Sequence, residues 1–144
     1  MFGFIIFVIY MHEWSLAQAV VKAATDFANK NGFKKRIKVS VLLGELQQID
    51  KEIFTHALEE ITKELKDWHI TYEIKEEKAK LKCRACGFEW NLGETKNRLS
   101  EKQAEFIHFI PDIAHSYMQC PNCKSVDFEI KKGRGLSIAS VEEI

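Results

Sequence analysis

Apolar positions change period several times along the chain, and each change marks an element. From Met11 to Gly32, Leu16, Val20, Ala23 and Phe27 recur at intervals of three and four, which predicts an amphipathic helix closed by Gly32. At Ile37 the period falls to two. Ile37, Val39, Val41 and Leu43 alternate with Lys38, Ser40 and Leu42, a strand with one fully buried face that ends at Gly44. Asp50 then stands as an N-cap before a second helix, whose stripe of Phe54, Leu58, Ile61 and Leu65 lies opposite Glu59, Glu60, Lys63 and Lys66. Alternation resumes at Ile70, Tyr72 and Ile74, and a further extended run from Ala79 to Lys82 leads directly into Cys83. Beyond the last cysteine, Phe128 and Ile130 read as extended chain. Leu136 to Val141 forms a final strand after the turn Gly133-Arg134-Gly135.

The first ten residues break this pattern, being apolar from Met1 to Tyr10 without a charge. A bilayer-spanning helix needs about 20 such residues, and a signal peptide carries basic residues in front and a small-residue cleavage site behind. The aromatic and β-branched content favours a buried strand. Met11 follows at once, so a natural start at Met11 is the competing expectation.

All four cysteines lie in two Cys-x-x-Cys pairs, Cys83/Cys86 and Cys120/Cys123. Two residues between thiolates let a tight turn present both sulfurs to one ion, and two such turns complete the tetrahedral cage that zinc prefers. Disulfides suit an oxidising compartment, and a thioredoxin-like motif needs one pair in a βαβ setting; neither fits two pairs without a secretory signal. Iron, as a cluster or a rubredoxin-like centre, is the alternative occupant. A closed cage leaves no open coordination position, so no metal-dependent hydrolysis is expected there. The 33 residues between Cys86 and Cys120 include Phe88, Trp90, Phe106, Phe109 and Tyr117, enough to pack. Ser100-Glu101-Lys102-Gln103 has the form of a capping box, predicting a short helix that Pro111 stops.

The elements form an α+β architecture of two helices on a three-stranded sheet, with an inserted zinc ribbon. Residues 11–82 and 130–144 are assigned to the α+β domain, 83–129 to the ribbon, and 1–10 to an extension. The 21 basic and 21 acidic residues cancel, so no net field draws the chain to nucleic acid or an anionic membrane. A zinc-ribbon module binding nucleic acid through Lys131, Lys132 and Arg134 is the alternative function, but it lacks a dense basic face.

Met11-His12-Glu13 carries the more specific chemistry. A free α-amine at Met11, the deprotonated amide of His12 and its imidazole Nδ1 close fused five- and six-membered chelate rings, giving three coplanar nitrogens. Square-planar nitrogen coordination suits Ni(II) or Cu(II), whereas thiolates suit zinc. The bland reading of the tripeptide is an ordinary polar helix start.

Taken together, Met11-His12-Glu13-Trp14-Ser15-Leu16 opening a helix, Gly44-Glu45-Leu46 after the first strand, the two cysteine pairs and Gly133-Arg134-Gly135 before the last strand resemble the HypA family of nickel metallochaperones, in its archaeal form with a long insert. The resemblance implies a cytoplasmic, non-enzymatic protein that delivers nickel during [NiFe] hydrogenase maturation with the GTPase HypB and the hydrogenase large subunit as partners. Homo-oligomers are left open. It further implies nickel ligands at Met11, His12 and Glu13, an approach of His108 to that nickel, and structural zinc on Cys83, Cys86, Cys120 and Cys123. With residues 1–10 present, the Met11 nitrogen is an internal amide and cannot serve as an amine ligand.

Overall fold

A computed structural model describes residues 2–47, 49–94, 102–103 and 118–144, with side chains from His12 onward in the first helix. Among the described residues, the principal elements follow in the order α1 (Phe2–Lys30), β1 (Arg36–Gly44), α2 (Lys51–Lys63), β2 (His69–Glu77), β3 (Lys80–Cys83), β4 (Glu89–Asn91), β5 (Phe128–Lys132) and β6 (Leu136–Glu143). They make two three-stranded sheets, ordered β2-β1-β6 and β4-β3-β5. The chain divides into two compact units: residues 1–41, 49–74 and 138–144, and residues 42–48 and 75–137. The α+β class expected from the periodicity is the class observed.

In the first unit, β1 buries Ile37, Val39 and Val41 completely, as its alternation demands. Asp50 caps α2: its backbone is extended and its Oδ1 accepts the Ile53 N–H at 3.0 Å. Phe54, Ala57 and Leu58 form the buried face of that helix.

Two expectations for α1 need correction. Its buried stripe is Glu13, Ala17, Val20, Val21, Ala24 and Ala28, rotated from the predicted one. Ala23 is exposed and Phe27 is 46% exposed, its ring edge-on to Phe33 at 6.1 Å. Alanines let a helix backbone approach its neighbour closely, so the small residues took the inner face and the larger Phe27 packed locally instead. The second correction concerns residues 2–10, which are helical rather than strand. They propagate an existing helix, adding one hydrogen bond per residue fixed, whereas a strand would need a pairing partner.

In the second unit, β3 pairs antiparallel with β4 and β5, matching Leu81 with Trp90 and Cys83 with Phe128. Leu46, Ala79, Leu81, Trp90, Leu92, Met118 and Phe128 pack into one core with Cys83 and Cys120. The Trp90 and Phe128 rings meet edge-to-face at 5.4 Å. Beside this core, Gly44 N–H donates to Gly135 O and Leu46 N–H to Gly133 O, each at 3.0 Å. A Cβ at Gly44 would stand 2.6 Å from Gly133 O and from both Gly135 N and O. Gly44 thus lets two backbones approach at a separation that a side chain forbids, and Gly133 does the same toward Ala79, whose Cα would lie 2.5 Å from an added Cβ.

Of the predicted insert helix, Lys102 and Gln103 are helical; the remainder of that segment, with Phe106, Phe109 and Tyr117, lies outside the described residues.

Candidate metal centres

The four cysteines converge. Cys83 ends β3, and its N–H donates to Phe88 O at 2.8 Å while Gly87 N–H donates back to Cys83 O at 3.0 Å. The second knuckle repeats both bonds from a different sequence: Cys120 N–H to Ser125 O and Lys124 N–H to Cys120 O, each 2.8 Å. The fourth residue after the first cysteine is left-handed in each, Gly87 at φ 79° and Lys124 at φ 62°. For lysine that conformation is strained. Lys124→Gly is therefore expected to raise the thermal midpoint slightly, the relieved strain of about 1–2 kcal/mol exceeding the added chain entropy of about 0.5–1 kcal/mol; Gly87→Ala should lower it. Equal and opposite shifts from those would refute the account.

All four sulfurs lie within 4.8 Å of one another. Cys83 Sγ is 3.5 Å from Cys123 Sγ, and Cys86 Sγ is 3.6 Å from Cys120 Sγ. A tetrahedron with metal–sulfur bonds of about 2.3 Å has edges of about 3.8 Å, whereas a disulfide needs about 2.05 Å. The donor set therefore fits a tetrahedral, thiolate-preferring ion. Cys83 and Cys120 are buried; Cys86 and Cys123 are exposed. Asn122 Nδ2 donates to Cys86 Sγ and, with the Phe88 backbone, pushes that thiol down to about 6. For Cys123 the Ser125 N–H favours the thiolate, but the neighbouring Cys83, desolvation and the other sulfurs outweigh it and push the thiol up to about 12. Of the two exposed thiols, Cys86 is therefore the one whose surroundings favour the thiolate.

The other candidate centre lies in the first unit. Met11 falls within α1, so in the 144-residue chain its nitrogen is a helical peptide amide. His12 is half-buried, and desolvation lowers its pKa, favouring the neutral imidazole that binds metals. Glu13 is fully buried because it continues the alanine stripe one turn toward the N-terminus. Its Oε1 accepts the Asp50 backbone N–H at 3.3 Å, and its Oε2 has no partner among the described residues. Burial raises the Glu13 pKa, the Asp50 N–H opposes that, and the Asp50 charge adds to it. The meeting of Glu13 with the start of α2 was not anticipated from sequence, where Asp50 registered only as a cap. His108 lies outside the described residues.

The family model described as hydrogenase/urease nickel incorporation, metallochaperone, hypA matches residues 11–143. The chain belongs to the HypA family. The hydrogenase maturation factors HypA of Pyrococcus abyssi and Thermococcus onnurineus are each 43% identical to it over 132 residues, 92% of this chain and 95% of theirs. The solution structure of the Ni metallochaperone HypA from Helicobacter pylori shares the fold, with a TM-score of 0.57 and 23% identity over 92% of this chain and 97% of that one. HypA proteins are nickel-incorporation metallochaperones and maturation factors, not enzymes, and the chain shares that role. Among the described residues, no helix is long and apolar enough to cross a membrane.

Proposed function

We propose that the chain binds Ni(II) through Met11, His12 and Glu13, with His108 as an additional ligand, and releases it in the cytoplasm to a [NiFe] hydrogenase large subunit together with HypB. Zn2+ on Cys83, Cys86, Cys120 and Cys123 shapes the ribbon and takes no part in transfer. The observation that carries the nickel reading is the Glu13 side chain, buried with one oxygen unsatisfied, next in sequence to His12, whose burial favours the neutral imidazole. Such an oxygen costs about 1–3 kcal/mol, which a bound cation offsets. Nickel bound to amide nitrogen and imidazole weakens as pH falls, giving a route to release.

The amine ligand exists only where Met11 begins the chain. Protein beginning at Met11 is expected to take up one Ni(II) with a diamagnetic square-planar absorption spectrum, while the 144-residue form binds more weakly through side chains. His12→Ala in the shorter protein should reduce nickel affinity by roughly 100-fold or more, beyond the usual effect of an outer-shell change, and leave zinc in place. Tight nickel in that variant would reject the site.

Nucleic-acid binding gains no support from the ion pairs among the described residues of the ribbon. Lys80 pairs with Glu89, Arg84 with Asp127 and Lys131 with Glu129, so its cations are interleaved with acids.

A further inference from the structure

We propose that the outer edge of β2 is a docking site for an extended protein segment that carries an acidic side chain near His69. Strand β2 is terminal in the sheet β2-β1-β6, and no strand pairs with its other edge among the described residues. His69 N–H donates to Lys35 O at 2.8 Å, so the His69 backbone faces the β1 side. Backbone groups alternate sides along a strand, which directs the N–H and C=O of Ile70, Tyr72 and Ile74 outward.

A groove of about 590 Å³ runs along this edge. On the strand side it is lined by five consecutive residues, Trp68 through Tyr72. A groove over a sheet face would meet alternate residues; contact with every residue marks the backbone edge. The opposite wall is one stripe of α2, Thr55, Glu59 and Thr62, continued by Lys66 in the turn beyond. Tyr72 Oη and Thr62 Oγ1, 2.7 Å apart, tie strand to helix and fix the separation of the two walls at that point.

Exposed edges are commonly blunted by proline, lysine or a bulge. Along the groove, residues 69–72 carry neither proline nor lysine and favour pairing, and the one lysine of β2, Lys75, lies beyond the groove lining. Charge selects the occupant. Lys63 and Lys35 are already met by Glu60 and Asp67, at 3.1 and 3.6 Å, so the cation the groove offers an occupant is Lys66, at the end near Trp68, while Glu59, its lining acid, lies two helical turns back. An added strand with an acidic residue beside Lys66 satisfies both backbone and charge.

The test is an amide-resolved NMR titration of the full chain with a synthetic hexapeptide, Asp-Thr-Val-Thr-Val-Thr, and its counterpart beginning with Lys. The acidic peptide should shift and protect the amides of Ile70, Tyr72 and Ile74 and bind roughly three-fold more tightly than the basic one. Lys66→Glu should reverse that preference without changing the free protein's spectrum elsewhere. Shifts centred on other residues, no saturable binding, or an unchanged preference in Lys66→Glu would overturn the proposal. So would protection of the same amides that rises with protein concentration alone, since that assigns the edge to a second copy of this chain.

Discussion

Protein carrying Cys83→Ser is expected to retain no stoichiometric zinc and to lose the packing of the sheet β4-β3-β5, while α1, α2 and β1 stay folded. Cys83 is 1% exposed and belongs to the same packed core as Trp90 and Phe128, so the substitution removes a ligand and places a hydroxyl among apolar side chains. The larger loss is the metal. Structural zinc in small ribbons contributes about 10–16 kcal/mol of apparent binding energy at neutral pH, comparable to or above the whole stability of a domain. Amide-resolved NMR of Leu81, Trp90 and Phe128, together with near-UV circular dichroism, to which Trp14 and Trp68 also contribute, and metal analysis, checks this. One zinc per chain with a native near-UV spectrum would show that the thiolate cage is dispensable. Cys86→Ser, at an exposed position, should weaken metal binding with less damage to packing.

The second large effect is expected at the glycine crossing. Gly44→Ala would set a methyl carbon 2.6 Å from three backbone atoms, none of which can swing aside as a side-chain tip can. The strands must separate, breaking the bonds from Gly44 to Gly135 and from Leu46 to Gly133. A loss of about 3 kcal/mol is expected in urea unfolding, at the upper end of overpacking costs. Gly93→Ala serves as the control, since a Cβ there meets nothing within 4 Å. Similar midpoints for the two variants would remove the steric argument.

Much of the fold was legible because its signals are local. Alternation at Ile37, Val39 and Val41 reported directly on a half-buried strand, and Asp50 announced α2 because a cap bonds within its own turn. The cysteine spacing announced the cage for the same reason: each half is built by a single tight turn. What failed depended on partners. The rotation of α1 was misread because Phe27 outranks Ala24 in hydrophobicity but not in fit, and fit is set by the neighbouring element. Residues 2–10 were misread because their composition suits a strand while their attachment to a helix decides the matter. Glu13 meets the Asp50 backbone across 37 residues of sequence, a separation at which no periodicity speaks.

The twin construction of the two knuckles has a further consequence for how this chain can vary. Each half-site is shaped by its own turn, and the intervening chain adds Trp90, Leu92 and Met118 to the surrounding core and otherwise keeps the halves within reach. The entropy of closing such a loop grows with the logarithm of its length, and doubling the 33-residue segment would cost only about 0.6 kcal/mol. Set against about 10 kcal/mol or more from the metal, that is a minor charge on stability. Outside those core residues, the chain between Cys86 and Cys120 could therefore lengthen at little cost to stability once a metal held the two halves together.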